Sequence, residues 1–299
     1  MTFHEGTQID TSTTSGGGGP GPGRGIAIGG GVGGLVIVVI ALLLGVDPGN
    51  ITGGGSAPPA GQQSQNVSGV DVSQCKTAAD ANAKPVCRII ATGNSVDAVW
   101  EQLLGKEYTR PHVVIFSGQT NSACGPADVS VGPFYCPGDK TAYFDPDFLK
   151  DVLAQQLGYD PGPLAQEYIV AHEFGHHVQD LQGTIGRAQQ GVQGATGNSV
   201  RTELQADCYA GVWAHYATIP QKNGTTYLDP LTDEQIKDVM DATQHIGDDW
   251  IQKTMGGRVD PGTFTHGTSE QRKHWFTVGY QLGDWKKCDT YDASDLDNG

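Results

Sequence analysis

Five consecutive residues, His172-Glu173-Phe174-Gly175-His176, are the part of this chain best equipped for chemistry. Histidines four positions apart share one face of a helix, so both imidazoles can reach a single ion. The glutamate beside the first histidine is placed to hold a metal-bound water. A catalytic zinc takes three protein ligands and keeps a fourth position open. A metzincin would find its third ligand further along the same segment, with glycine at position 179 and histidine at 182. This chain has Gln179 and Gln182 there, so that class is excluded. The third ligand is then sought in residues 199–216, SVRTELQADCYAGVWAHY, where Glu203 and Asp207 again share a helix face. Glu203 completes a His, His, Glu set. Asp207, one turn later, can accept a histidine N–H and so fix its tautomer and raise its basicity. His215, His245 and His266 are competitors without comparable context. His177 is turned about 100° from His176 around the helix and belongs behind the ligands or at the surface.

These side chains need two well-placed helices. Residues 163–182 supply the first, with Pro163 suited to its opening turn and Gly183 to its exit. Leu164, Tyr168, Ala171, Val178 and Leu181 recur near helical spacing and give it a face to bury. Residues 199–217 supply the second, capped by Asn198 or Ser199. Further helices are expected over 95–104, 147–157, 232–255 and 268–282. Thr232 with Gln235 and Thr268 with Gln271 form capping-box patterns at the starts of the last two. Strand signals are confined to 112–116 and 130–145. Helices outnumber strands, so the fold class is α+β with a dominant helical part and a small sheet. Residues 183–198, rich in glycine and glutamine, read as a long loop between the two metal helices, flexible near the cleft.

The HExxH, followed by Glu203-Leu204-Gln205-Ala206-Asp207-Cys208, resembles the bacterial putative neutral zinc metallopeptidase family. Its members are gluzincin-like proteins with one amino-terminal membrane span. Further matching stretches are Gly132-Pro133-Phe134-Tyr135-Cys136-Pro137, His266-Gly267-Thr268-Ser269, Gln271-Arg272, Trp275-Phe276 and Gly45-Val46-Asp47-Pro48. The resemblance therefore covers nearly the whole chain. It implies a zincin-like domain, a zinc cofactor and a protein or peptide substrate, with no defined sequence preference.

Composition sets the surroundings of this domain. The 299 residues carry a net charge of −15, which excludes a nucleic-acid binder because phosphate contacts need a basic face. Twenty of the 44 glycines fall in the first 70 residues. Residues 26–46 are 21 uncharged, mostly apolar residues, spanning roughly 30 Å as a helix, the depth of a bilayer core. They are longer and further from the start than the apolar core of a signal peptide. The expected organisation is a flexible glycine-rich segment 1–25, a transmembrane helix 26–46, a flexible linker 47–70 and a zinc metallopeptidase domain 71–299. All six cysteines follow the apolar stretch, which suits disulfides in an oxidising compartment. Sequence order suggests Cys75–Cys87, Cys124–Cys136 and Cys208–Cys288 among fifteen connectivities. The expected localisation is the cell membrane, single-pass, with the amino terminus inside and the domain on the extracytoplasmic side.

The chemistry expected is peptide hydrolysis, with Zn2+ on His172, His176 and Glu203, Glu173 as general base and Asp207 orienting a ligand histidine. An oxyanion donor is also needed. His266, in a loop before a helix, is the leading candidate, with Arg272, His274, Tyr280 and His245 as alternatives. Two readings of the strand at 141–145 are open: substrate contact, pairing with an extended peptide as an added strand, or an ordinary core strand. Two other readings stay open: a zinc-bound but inactive envelope scaffold or binding module, and a module whose metal is purely structural.

Overall fold

The computed structural model describes residues 2–17, 70–129, 131–148, 154, 158–222 and 224–298. The apolar stretch 26–46 lies outside them, as do the linker up to residue 69 and most of the helix expected at 147–157. Among the described residues, no helix is long and apolar enough to cross a membrane.

The helices in chain order are α1 Ala78–Ala83, α2 Pro85–Leu104, α3 Pro163–Leu181, α4 Asn198–Ala217, α5 Asp233–His245, α6 Asp248–Thr254 and α7 Ser269–Leu282. The strands are β1 Thr14–Gly16, β2 His112–Ile115, β3 Gln119–Ser122, β4 Gly125–Asp128, β5 Phe134–Cys136 and β6 Thr141–Phe144. The expected α+β class holds. Strands β1, β2, β6 and β5 form one sheet in that order, and β3 and β4 form a separate hairpin. β1, β2 and β6 run parallel, while β5 is antiparallel to β6.

Helix α3 starts at Pro163 and ends before Gly183, whose φ of +70° turns the chain away. Its apolar residues Leu164, Tyr168, Ala171 and Val178 are fully buried. Helix α4 lies between α3 and α7. The approach of α3 to α4 depends on Gly175, inside the HExxH. A Cβ there would sit 3.1 Å from the Cα and carbonyl oxygen of Ala206, tighter than ordinary packing. Two small residues facing each other bring the helix carrying His172 and His176 close to the one carrying Glu203 and Asp207. The three disulfides are the pairs that sequence order suggested, Cys75–Cys87, Cys124–Cys136 and Cys208–Cys288.

Several expectations need correction. The strand over 141–145 was to be an exposed edge. Instead β6 is paired on both sides, by β2 and β5, so its backbone groups are already used, and among the described residues the outer strand near α3 is β5. The helix 232–255 is two helices. Gly247 is extended (φ −74°, ψ 144°) and packs against Ser269, where a Cβ would fall 2.5 Å from the Ser269 nitrogen. Helix α4 begins after Gly197 with no side-chain cap. The loop 183–198 holds a short 3-10 helix, Ile185–Gln189, and Arg187 lies 3.8 Å from the Tyr291 ring centroid.

The largest correction concerns residues 1–25, expected to be a flexible lead. Residues 2–17 are packed onto the domain. Thr2, Phe3 and Thr7 are buried, and β1 forms one edge of the main sheet. The Thr2 hydroxyl donates to Glu167 on α3, which is fully buried near Arg88. Burial pushes the Glu167 carboxyl up to about 8, against the opposing pull of Thr2 and Arg88.

Two tests follow from this packing. Gly175→Val should force α3 and α4 apart, costing roughly 1–3 kcal/mol by overpacking, with zinc uptake falling in parallel; thermal unfolding and metal titration read both. Glu167 holds a proton in the folded chain at pH values where the unfolded chain has lost it. Its contribution to stability therefore falls as pH rises from about 5 to 8. Denaturant titrations across that range should show the decline in the wild type and a flatter profile in Glu167→Gln.

Candidate metal centre

Helices α3 and α4 bring His172, His176 and Glu203 together, with one ligating atom from each lying within 4.8 Å of the others. His172 Nε2 is 3.1 Å from Glu203 Oε2, and His176 Nε2 is 3.5 Å from Glu203 Oε1. Two ligands on a tetrahedral zinc at about 2.05 Å each would be roughly 3.3 Å apart, so this spacing fits the ion. All three residues are buried yet not sealed, at 4–6% exposure.

Each imidazole is fixed by its other nitrogen. His172 Nδ1 donates to Asp207 Oδ1 at 2.8 Å, and His176 Nδ1 to Gln179 Oε1 at 2.8 Å. Both Nε2 atoms are left for the metal, the arrangement that outer partners impose in histidine metal sites. Asp207 is itself held by Arg272, whose Nε and Nη2 reach its two oxygens at 2.9 Å, and by the Tyr168 hydroxyl at 2.5 Å. Gln179 also donates to the Thr202 carbonyl and to Gln205, and Gln205 donates to the Cys288 carbonyl.

The electrostatics favour a cation here. Burial alone would lower the His172 pKa, but the Asp207 carboxylate, helped by Glu203, overrides it and holds it up, to about 10. Burial likewise opposes the charged form of His176, and Glu203 outweighs it. Glu203 would be raised by burial and is instead held well below its usual range, chiefly by His176 and His266. Glu173 behaves differently: burial raises its carboxyl, while His176, His172 and a backbone hydrogen bond from Tyr135 only moderate the rise. Its Oε2 is buried and has no hydrogen-bond partner among the described residues.

The model of the family described as putative neutral zinc metallopeptidase matches residues 2–291. The chain belongs to this family. The uncharacterized proteins Mb2605 of Mycobacterium bovis and Rv2575 of Mycobacterium tuberculosis are each 60% identical to it over 298 residues, covering 99% of this chain and all of theirs. The uncharacterized protein YpfJ of Escherichia coli K12 is 38% identical over 266 residues, 87% of each chain. No solved structure matches. The family match begins at residue 2, so it takes in the docked amino-terminal segment as well as the metal helices.

Of the oxyanion candidates, His266 lies by the site, where its charge couples to Glu203. Asp248 Oδ2 accepts the backbone N–H groups of Thr265, His266 and Gly267, which pins the loop that carries it. Arg272 is committed to Asp207 and the Ile246 carbonyl. His245 bonds the Asp241 carbonyl and stacks on Tyr159, while the Tyr280 ring stacks on Phe276. His274 packs edge-on against Trp275. His177 is fully buried behind the ligands, bonded to the Tyr135 hydroxyl and the Thr109 carbonyl, and so links α3 to β5. Gln179, the partner of His176 Nδ1, is the residue of this arrangement that sequence reasoning missed; it stood only as the residue that broke a metzincin pattern. Its position three after His176 was the available signal.

Gln179→Leu removes the acceptor for His176 Nδ1 while keeping a similar volume. Zinc affinity should drop about 10- to 100-fold, as for other outer-layer partners. Competition with a chelating dye measures it, and an affinity equal to wild type would remove Gln179 from this role.

Proposed function

We propose that this protein is a membrane-attached zinc peptidase that hydrolyses peptide bonds in an oxidising compartment. The observation that carries the proposal is the unpartnered, buried Oε2 of Glu173 beside a three-ligand set whose Nε2 atoms converge. A carboxylate oxygen left without a donor at such a place suits a group that takes a proton from water. Zinc, when bound, supplies Lewis acidity to the scissile carbonyl and lowers the pKa of water toward about 7.

The chain's own residues do the rest. Glu173 accepts the proton as the water oxygen bonds to the carbonyl carbon. It then delivers that proton to the amine as the C–N bond breaks. Its raised pKa suits both halves of this shuttle. His266, fixed on its Nδ1 side by Asp248 and Thr265, offers a second donor to the developing oxyanion. β5, the outer strand of the sheet among the described residues, replaces β6 as the strand beside which an extended peptide would lie. The backbone bond from Tyr135 to Glu173 ties that strand to the reacting carboxylate. Three disulfides support the oxidising compartment, and the apolar stretch 26–46 supports membrane attachment.

The deciding experiment pairs metal analysis with cleavage of a peptide library by the wild type and Glu173→Gln. The wild type should cleave; the variant should retain zinc and lose at least about 10²-fold in kcat. Equal rates would refute the role of Glu173. A zinc-loaded wild type with no cleavage would favour the scaffold reading.

A further inference from the structure

Besides the metal ligands, α3 carries a second row of polar side chains. Glu173, His177 and Asp180 are spaced four and three residues apart, so they share a face over about 10 Å of helix. β5 packs on α3, and Tyr135 at its centre meets all three. Its backbone N–H donates to the Glu173 carboxylate. Its hydroxyl donates to Asp180 Oδ2 at 2.8 Å and lies 3.0 Å from His177 Nδ1. The Tyr135 and His177 ring centroids stand 5.3 Å apart. His177 Nε2 donates to the Thr109 carbonyl at 2.6 Å, so the histidine is braced from behind. Burial, reinforced by the Asp180 carboxylate, pushes the Tyr135 hydroxyl far up from its ordinary pKa, so it stays a donor.

Other bonds hold β5 to its own sheet. It pairs with β6 from Phe134 opposite Tyr143 to Cys136 opposite Thr141, and Cys136 is bonded to Cys124. None of these fixes where β5 sits along α3. Among the described residues, the hydrogen bonds between β5 and α3 all run through Tyr135. Glu173 has a long stem with several staggered rotamers, and its Oε2 has no partner among the described residues. The direction of its carboxylate therefore follows the Tyr135 amide. The place of that amide follows the hydroxyl, locked about two turns further along the helix.

We infer that Tyr135 is the positioning residue for the reacting carboxylate: its hydroxyl, seated between Asp180 and His177, sets the register of β5 on α3, and its amide then holds Glu173 with Oε2 free beside the metal ligands. Asp180 and His177 act through Tyr135. The inference rests on the peptidase reading of Glu173 and gives a role to the stretch 132–137, which supplies no metal ligand.

Three substitutions in the full-length, zinc-loaded chain test it. Tyr135→Phe removes only the hydroxyl, Asp180→Ala removes its acceptor, and Asp180→Asn keeps one. Tyr135→Phe and Asp180→Ala should lower kcat about 10- to 100-fold, the scale of a displaced reacting group, with KM within about twofold of wild type. Asp180→Asn should restore most of the rate. Zinc affinity, read with a chelating dye, should keep its wild-type value in all three. Hydrogen exchange of the same chains is independent of activity. In Tyr135→Phe the amide at position 135 should exchange at least about tenfold faster, while amides in the middle of α3 keep their protection. Wild-type kcat in Tyr135→Phe, or unchanged exchange at position 135, would overturn the inference. So would a fall in zinc affinity that matches the fall in kcat, because Tyr135 would then act only on the fold. A zinc-loaded wild type that cleaves nothing, with the exchange difference intact, would instead refute the peptidase reading, so the two failures are distinguishable.

Discussion

A single buried carboxylate organises the metal centre. Asp207 accepts from His172 on α3, from Tyr168 one turn earlier on the same helix, and from Arg272 on α7. It is fully buried, and Arg272 nearly so. Such an ion pair contributes little net stability, because desolvating both charges consumes most of their attraction. Its value is geometric: the charges tolerate one arrangement, and that arrangement fixes three helices around His172. Arg272 also keeps Asp207 ionised in a site where burial favours the neutral acid.

The second histidine is held differently. His176 relies on a carboxamide, and Gln179 is tied in turn to Thr202 and Gln205. A carboxylate on one imidazole and an amide on the other give the centre unequal ligands. His172 is backed by a full charge, while His176 is oriented by a neutral dipole. Of the three candidate ligands only Glu203 is anionic, which would limit how far a cation bound there is neutralised.

The residues that could be read from sequence were those fixed by local geometry. His172, Glu173 and His176 sit within one helical turn and a half, and Glu203 and Asp207 repeat the i, i+4 logic, so period alone places them. The capping boxes at Thr232 and Thr268 were legible for the same reason. What escaped depended on contacts distant in sequence. Residues 2–17 carry no periodic apolar pattern, with Phe3 and Ile9 their only large apolar side chains, so their docking is visible only once Asn82, Asn94 and β2 are assembled beside them. Which strand forms an edge is likewise a property of the sheet, and β6 and β5 could not be told apart by composition. The break at Gly247 has both a local signal, a glycine followed by Asp248 and Asp249, and a distant one, Ser269 packed where a side chain would stand.

The chain that runs from His176 through Gln179 and Gln205 ends on the carbonyl of Cys288, whose sulfur closes the bridge to Cys208, the residue after Asp207. Both supports of the metal histidines thus depend on segments made late in synthesis, Arg272 for one and Cys288 for the other. A nascent chain displays its HExxH more than a hundred residues before the outer layer can close around it. The outer layer of the centre therefore closes only once residue 288 has been made and has packed against Gln205.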